Sequence, residues 1–226
     1  MMIEIEQLLD AETVRRFRDR LADAPWADGR ATAGYQSALA KDNAQLPQDC
    51  VEARELGAEV AAALAANLLF QSAALPRAVY PPLFNRYAGG QAFGTHVDNA
   101  FRPMPDGQGR LRTDLSATLF LSDPDEYDGG ELIIEDGHDG KVIKLPAGHM
   151  ILYPATTLHS VAPVTRGARV ASFFWIESLV PDAAQRATLF DMDIAIQSLR
   201  PRVGDRDPAL IALTGCYHNL LRSWAR

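Results

Sequence analysis

The spacing of apolar residues divides the chain into three regions. In the first, residues 1–77, apolar side chains recur at the period of a helix and predict helices over residues 7–21 and 48–70. Asp10, with Thr13 three residues further on, is a candidate N-cap for the first helix. The stretch between the two helices looks like a loop with one short strand.

The period changes in the second region, residues 78–180. Short runs rich in strand-forming residues alternate there with turn clusters; the runs cover residues 83–87, 115–121, 131–135, 141–145, 149–153, 160–164 and 170–178. Such a pattern is typical of a sandwich or a barrel. Residues 181–226 return to helical spacing. We therefore expect an α+β fold, in which a β-core domain over residues 78–180 carries an N-terminal helical flank and a C-terminal helical region.

Composition and charge narrow the class of protein. Hydrophobic residues make up 47% of the chain and charged residues 23%, which is ordinary for a globular protein. A net charge of −7 without a basic cluster argues against nucleic acid as a partner. The longest apolar run, residues 60–70, is too short to span a bilayer, and no signal peptide is visible. The lone cysteines Cys50 and Cys216 fit a reducing cytoplasm, where we expect the protein.

The triplet His96-Val97-Asp98 is a candidate metal motif. Residues two apart on an extended segment project from one face, about 6.5 Å apart along the chain, so a slight bend brings both side chains onto one metal. Two imidazoles and one carboxylate leave three coordination positions open, as in non-haem iron(II) oxygenases. With five histidines in the chain the triplet alone is close to a chance match, and on this motif by itself a polar loop after Gly94 is the favoured explanation.

A third ligand must come from a distant strand. His159 directly precedes a predicted strand and has Arg169 one hairpin away, so we favour it over His149, which reads as a turn residue or a second-sphere group. His138 reads as a hairpin-turn residue and His218 as a surface or interface residue of a helix.

Arg169 is a candidate for binding an anion. Strand alternation places it on the same face as Phe173 and Trp175. A guanidinium among inward-facing apolar residues is costly unless an anion meets it, and a carboxylate does so with two parallel hydrogen bonds. The distal carboxylate of 2-oxoglutarate is such a group. The alternative is a strand-end arginine that reaches solvent or pairs with Glu131 or Glu177.

Tyr87 ends the strand before the triplet, so its hydroxyl is within reach of a 2-oxo acid, although an ordinary core tyrosine explains it as well. Four aromatic residues are candidate walls of the site, and core packing is the simpler explanation of each; they are Phe93, Phe101, Phe173 and Trp175.

Short motifs run along nearly the whole chain, at residues 84–87 (FNRY), 94–100 (GTHVDNA), 119–124 (LFLSDP), 127–132 (YDGGEL), 153–154 (YP), 159–161 (HSV), 167–169 (GAR) and 217–222 (YHNLLR). Together they resemble the bacterial PKHD-type (prolyl/lysyl-hydroxylase-like) iron(II)- and 2-oxoglutarate-dependent hydroxylases. The resemblance implies a double-stranded β-helix, or jelly-roll, core, with Fe(II) on His96, Asp98 and His159 and with 2-oxoglutarate on Arg169.

The resemblance also implies dioxygen as a co-substrate, release of succinate and CO₂, and ascorbate as a helper that keeps the iron reduced. The prime substrate it suggests is a prolyl or lysyl side chain, or a small molecule of iron acquisition. Some related oxygenases carry a serine two residues after the arginine as a second partner of the co-substrate carboxylate. Here that position is Ala171, which leaves Tyr87 or another hydroxyl for the role.

Two other functions use the same residues. A zinc-dependent hydrolase would hold a metal-bound water on the three ligands, but it needs no arginine for a 2-oxo acid. A non-catalytic, cupin-like sensing module would bind metal or ligand without turnover. The helical flanks are, in addition, candidates for a homodimer interface.

Overall fold

The fold is seen in a computed structural model that describes residues 1–32, 35–135 and 140–226; the hairpin turn expected at His138 lies outside the described residues. Its helices are α1 (Ala11–Ala22), α2 (Tyr35–Ala40), α3 (Val51–Ala66), α4 (Leu68–Ala74), α5 (Ala183–Val203) and α6 (Pro208–Trp224), with a 3₁₀ turn at Gly29–Thr32. Its strands are β1 (Ile3–Ile5), β2 (Ala27–Asp28), β3 (Lys41–Asp42), β4 (Ala44–Gln45), β5 (Pro76–Val79), β6 (Leu83–Ala88), β7 (Ala92–His96), β8 (Phe101–Pro103), β9 (Arg110–Arg112), β10 (Leu115–Phe120), β11 (Asp128–Gly129), β12 (Leu132–Ile134), β13 (Lys141–Ile143), β14 (Met150–Pro154), β15 (His159–Val161), β16 (Val164–Arg166) and β17 (Ala168–Ser178).

Two antiparallel sheets form the core. In the larger sheet the strands lie in the order β1-β14-β10-β17-β6-β4-β2, with β5 also paired to β17. In the smaller sheet the order is β13-β12-β15-β7-β3. Buried side chains from both sheets meet in one cluster, which includes Tyr87 and Phe120 from the larger sheet and Leu132 and Val161 from the smaller. This is the jelly-roll arrangement that the sequence resemblance implies.

The N-terminal region contributes strands as well as helices. The apolar pattern predicts helices and one short strand there, but β1 lies at one edge of the larger sheet, β2 and β4 lie at the other, and β3 pairs with β7 in the smaller sheet. These strands have two or three residues each, too few to show a period of two along the sequence. Tertiary pairing, which sequence spacing does not report, therefore determines them.

The helix predicted over residues 48–70 is wrong in one respect, because it is two helices. Asn67 ends α3, and its side-chain oxygen accepts a 2.8 Å hydrogen bond from the N–H of Phe70 at the start of α4. No single helix among the described residues has the length and apolarity of a bilayer span, and α3 and α4 reach that composition only as a pair bent by 83°. In α1, by contrast, Asp10 accepts from the N–H of Thr13 at 2.7 Å, which confirms the predicted cap.

The helices cover one face of the larger sheet and leave the space between the sheets to the site. A second buried cluster joins α1, α3 and α4 to that face through residues such as Phe17, Leu56, Phe70 and Phe84. The helices α5 and α6 pack on each other and meet the remainder of the chain around Val180. The inner face of the larger sheet is thus free to line a cleft.

Candidate metal centre

Three side chains predicted from the sequence converge between the sheets. His96, Asp98 and His159 each offer a ligand atom, and these atoms lie within 4.8 Å of one another. The Nε2 atom of His159 is 3.8 Å from Oδ2 of Asp98, and the two imidazole rings have centroids 4.2 Å apart. Within the described part of the chain, no other group of histidine, cysteine or acidic side chains converges in this way.

Strand pairing accounts for the convergence of the two histidines. His96 is the last residue of β7, His159 is the first of β15, and the two are register partners across an antiparallel pair. Asp98 follows two residues after β7 and turns back towards the sheets, where Ser116 on β10 donates a 2.6 Å hydrogen bond to its Oδ2 atom. All three ligands therefore come from the smaller sheet or the segment that follows β7, and the larger sheet supplies the hydroxyl that orients Asp98.

Both imidazoles are oriented by the backbone. The Nδ1 atom of His96 lies 2.8 Å from the carbonyl oxygen of Gly94, and Nδ1 of His159 lies 3.0 Å from that of Thr157. A carbonyl accepts only, so each Nδ1 carries the proton and each Nε2 keeps its lone pair for a metal. Burial, and then the neighbouring His159, lowers the pKa of His96, which keeps that ring neutral and able to coordinate.

Arg169 is buried deep between the sheets. Only 1% of it is exposed, and its Nε atom has no hydrogen-bond partner among the described residues. The guanidinium carbon lies 5.5 Å from the ring centre of Tyr87, its cross-strand partner, and 5.1 Å from that of Phe120. The alternative of a solvent-exposed or ion-paired arginine is therefore wrong, since Glu177 instead lies beside the arginines at positions 77 and 112.

Hydroxyl groups share the cleft with Arg169. Tyr87, Thr118 and Tyr153 line the cleft with it. Burial raises the pKa of Tyr87 to about 12 and that of Tyr153 still further, so both phenols remain protonated donors at neutral pH. Tyr127 does not line the cleft. Burial raises the pKa of Tyr127, and the nearby guanidinium of Arg169 opposes that rise, so Tyr127 lies close to Arg169.

One cleft joins the three converging side chains to Arg169. It encloses about 740 Å³, including the part that opens to solvent. Three of the four predicted wall residues line it, namely Phe93, Phe173 and Trp175, and Phe93 also stacks on His96 with ring centroids 3.6 Å apart. The prediction of Phe101 as a wall residue is wrong, because this side chain is 55% exposed on β8 and does not line the cleft.

The remaining histidines lie elsewhere. His149 pairs with Glu4, with Nδ1 and Oε1 3.2 Å apart, and has no part in the converging group. His218 is exposed on α6, as the sequence predicts.

Sequence reasoning missed two cationic residues of the cleft. Lys41 on β3 is 6% exposed, and Arg102 on β8 lies with its guanidinium carbon 3.9 Å from the ring centre of Trp175. Both line the cleft. Their only sequence signal is an isolated basic residue, which does not reveal burial. Ser116 was missed for the same reason, since only strand pairing places it below Asp98.

The fold is similar to that of solved oxygenases. A prolyl-4-hydroxylase of Pseudomonas putida superposes with a TM-score of 0.52 at 20% identity, over 78% of this chain and 92% of that one. SnoK, a non-haem α-ketoglutarate-dependent carbocyclase of nogalamycin biosynthesis, superposes with a TM-score of 0.56 at 15% identity, over 79% and 80%. At such identities the likeness shows the fold alone.

Sequence comparison identifies the family. The model of the 2OG-Fe(II) oxygenase superfamily matches residues 82–177, and that of the PKHD-type hydroxylase C-terminal domain matches residues 183–226. A PKHD-type hydroxylase of Saccharophagus degradans is 57% identical over 226 residues, 100% of both chains. One of Burkholderia thailandensis is 60% identical over 225 residues, 100% of this chain and 99% of the relative. This chain therefore belongs to the PKHD-type hydroxylases, a family of iron(II)- and 2-oxoglutarate-dependent oxygenases.

Proposed function

We propose that His96, Asp98 and His159 bind the Fe(II), that Arg169 binds the distal carboxylate of 2-oxoglutarate, and that the enzyme hydroxylates a substrate held at the open side of the cleft. One observation carries the proposal. A buried guanidinium with an unsatisfied Nε atom lies in the same cleft as two imidazoles and a carboxylate whose ligand atoms converge. A bound 2-oxo acid supplies the anion that such an arginine requires.

The donor set fits iron. Two neutral imidazoles and one carboxylate suit Fe(II) and leave three positions for co-substrate and dioxygen. When bound, iron and 2-oxoglutarate supply the oxidation of a substrate C–H bond with release of succinate and CO₂. The protein orients the ligands through the carbonyl oxygens of Gly94 and Thr157 and through the hydroxyl of Ser116.

The end of the cleft at Arg169 fits a carboxylate. A buried guanidinium without an anion is costly, and a bidentate carboxylate offsets that cost. The serine that some related oxygenases use as a second partner is absent here, because Ala171 occupies its position and is fully buried. We assign the second hydrogen bond to Tyr87, whose protonated phenol lines the cleft next to Arg169. Thr118 offers a further hydroxyl in the same cleft.

A zinc-dependent hydrolase fits the cleft less well. It needs a general base for the metal-bound water. Among the described residues that line the cleft, the carboxylates are confined to Asp98, which is itself one of the three ligands. That chemistry does not account for the buried arginine, and a purely sensing role does not fit a chain of the PKHD-type hydroxylase family.

We include ascorbate and a cytoplasmic location in the proposal. The cleft opens to solvent, so the iron is accessible to a small reductant that returns it to Fe(II). The thiols of Cys50 and Cys216 are both free, which suits a reducing compartment. Prolyl or lysyl side chains, or a small molecule of iron acquisition, are the substrate classes to test.

The test is spectroscopic. Adding Fe(II) and 2-oxoglutarate without oxygen should produce a visible metal-to-ligand charge-transfer band, and admitting oxygen should release succinate. The variant Arg169→Met should lose the band at moderate co-substrate concentration and regain it at high concentration, while His159→Ala should not regain it. Absence of the band in wild-type protein that binds Fe(II) tightly would refute the function.

A further inference from the structure

Two cationic side chains in the cleft have no role in the proposed binding of iron or 2-oxoglutarate. Lys41 comes from β3 and Arg102 from β8, so they reach the cleft from different elements. Each is held against aromatic rings that line it. The Nζ atom of Lys41 lies 5.6 Å from the ring centre of Phe93 and 5.6 Å from that of Phe173, and the guanidinium of Arg102 covers the ring of Trp175.

The two cations lie close to each other, and Lys41 is costly to bury. Burial, and then the charge of Arg102, lowers the pKa of Lys41 to about 8, against the opposing effects of Asp98 and Asp28. Lys41 donates a 2.8 Å hydrogen bond to the neutral side chain of Gln45. Two neighbouring cations that lie against apolar rings can bind an oxyanion with charge-assisted hydrogen bonds.

These cations lie beside residues of the strand that carries Arg169, but further along it. Arg169, Phe173 and Trp175 lie on one strand, β17. Four residues of strand separate Arg169 from Phe173 by about 13 Å, and six separate it from Trp175 by about 20 Å. Lys41 and Arg102 therefore lie against residues well along the strand from Arg169, which anchors the distal carboxylate of the co-substrate in the proposed function.

That part of the cleft is next to the proposed iron. Ser116, which holds Asp98, is the cross-strand partner of Trp175, the residue beneath Arg102. A group bound by Lys41 and Arg102 therefore has its neighbouring atoms within reach of the metal centre.

The net charge of the cleft also favours an anionic third ligand. The described residues lining it carry three cationic side chains and the single carboxylate of Asp98, although the chain as a whole has a net charge of −7. Iron(II) and the 2-oxoglutarate dianion cancel each other on binding. The described lining therefore keeps a net positive charge when both are bound, and clefts of one sign attract ligands of the opposite sign.

We propose that the prime substrate is anionic and presents an oxyanion, either carboxylate or phosphate, to Lys41 and Arg102, with its apolar part against Phe93, Phe173 and Trp175. The inference rests on the proposed function, since it takes the end of the cleft at Arg169 as the co-substrate site. It states which chemical feature a substrate must have, whether that substrate is peptidyl or a small molecule.

The experiment uses the full chain loaded with Mn(II), as a redox-inert substitute for iron, and saturating 2-oxoglutarate. Benzoate and benzamide are matched probes that differ in charge, and phenyl phosphate is the second oxyanion. Ligand-detected NMR gives their dissociation constants, and broadening by Mn(II) reports whether the probe lies near the metal. We expect at least one oxyanion to bind about tenfold tighter than benzamide, as a charge-assisted hydrogen bond predicts. Tighter binding of benzoate would identify a carboxylate, and of phenyl phosphate a phosphate.

Substitutions of Lys41 and Arg102 test whether the oxyanion binds to these two side chains. Lys41→Met and Arg102→Met should each weaken the preferred oxyanion about tenfold and leave benzamide unchanged. Lys141→Met and Arg110→Met are the matched controls, because both residues are exposed on β13 and β9 and neither lines the cleft; they should retain wild-type affinity. Lys41→Gln and Arg102→Gln repeat the test with polarity kept, in case a methionine variant fails to fold.

Three results would overturn the inference: equal affinity for charged and neutral probes, displacement of the oxyanion by additional 2-oxoglutarate, or equal losses in the cleft and control variants. The anaerobic Fe(II) and 2-oxoglutarate band separates this failure from that of the proposed function. If wild-type protein and the Lys41 and Arg102 variants show the band but no preference for oxyanions, only the present inference is wrong.

Discussion

The hydroxyl of Ser116 donates a 2.6 Å hydrogen bond to Oδ2 of Asp98. Through this bond β10 of the larger sheet positions a carboxylate whose chain segment follows β7 of the smaller sheet. The same oxygen lies 3.8 Å from Nε2 of His159. The carboxylate is thus oriented towards its partner ligand by a neutral donor, and a metal does not have to reorganise it on binding.

We expect Ser116→Ala to weaken metal binding by about 10- to 100-fold, because loss of a group that orients a ligand has effects of that size. Mn(II) affinity, measured by electron paramagnetic resonance, checks this. The matched control is Ser172→Ala, since Ser172 is fully buried in β17 and its hydroxyl has no hydrogen-bond partner among the described residues. Equal Mn(II) affinity in wild type and Ser116→Ala would contradict an orienting role.

Arg169→Met should separate co-substrate binding from folding. Without an anion the buried guanidinium destabilises the native state. The free energy of unfolding of the ligand-free variant should therefore exceed that of wild type by about 1–3 kcal/mol. Its affinity for 2-oxoglutarate should fall about 100-fold, as loss of a bidentate, charge-assisted pair predicts. Denaturant unfolding and titration of the charge-transfer band measure the two effects.

Arg186 provides the control for that substitution. It is also a buried arginine, but its guanidinium donates to the carbonyl oxygens of Val180 at 2.7 Å and Pro181 at 2.8 Å. Arg186→Met should therefore lose stability and keep its affinity for 2-oxoglutarate. If Arg169→Met destabilised the ligand-free protein as much as Arg186→Met does, Arg169 would be a structural residue.

Lys41 should make the stability of the metal-free protein depend on pH. Its pKa is about 8 in the folded protein and 10.5 ordinarily, so between these values the unfolded chain binds more protons and the free energy of unfolding rises with pH. Below pH 8 the buried charge costs about 3 kcal/mol, and above pH 10.5 it costs nothing. The stability of Lys41→Met relative to wild type should therefore decline by that amount across this window.

Chemical denaturation at a series of pH values measures the difference between the two proteins, which removes the contribution of other titrating groups. Lys141→Met, at an exposed site, is measured alongside as the control for loss of a lysine. A difference between Lys41→Met and wild type that stays constant with pH would mean that Lys41 is solvated in solution.

The parts of the fold that the sequence predicts are those with a local signal. Long amphipathic or alternating runs predicted α1, β6, β10 and β17 to within a few residues of their bounds. The two- and three-residue strands β1 to β4 were beyond reach, because they exist only through pairing with distant partners. The break at Asn67 was missed because its apolar neighbours continue the helical period on both sides.

The residues of the site also divide into those with a local sequence signal and those without one. His96, Asp98, His159, Arg169 and Tyr87 were predicted because residue types and motifs mark them, and the structure brings all five to one cleft. The cleft residues Lys41, Arg102 and Ser116 carry no such mark. Their places depend on strand register and on which polar residues the sheets bury, quantities that emerge only in three dimensions.

Substitution of Gly129 tests how strictly the turn near Arg169 requires glycine. It has φ +74°, and a Cβ atom there would lie 1.9 Å from the carbonyl oxygen of Pro163. Gly107 has nearly the same φ, +73°, but nothing within 4 Å of its would-be Cβ. We expect Gly107→Ala to lose about 1–2 kcal/mol through the left-handed backbone alone, and Gly129→Ala to lose clearly more because the strands β11 and β16 must also separate. Since Tyr127, beside Arg169, lies two residues before Gly129, the second variant should weaken 2-oxoglutarate binding as well. Denaturant unfolding together with the charge-transfer titration checks both effects, and equal losses in the two variants would show that the contact with Pro163 is relieved without cost.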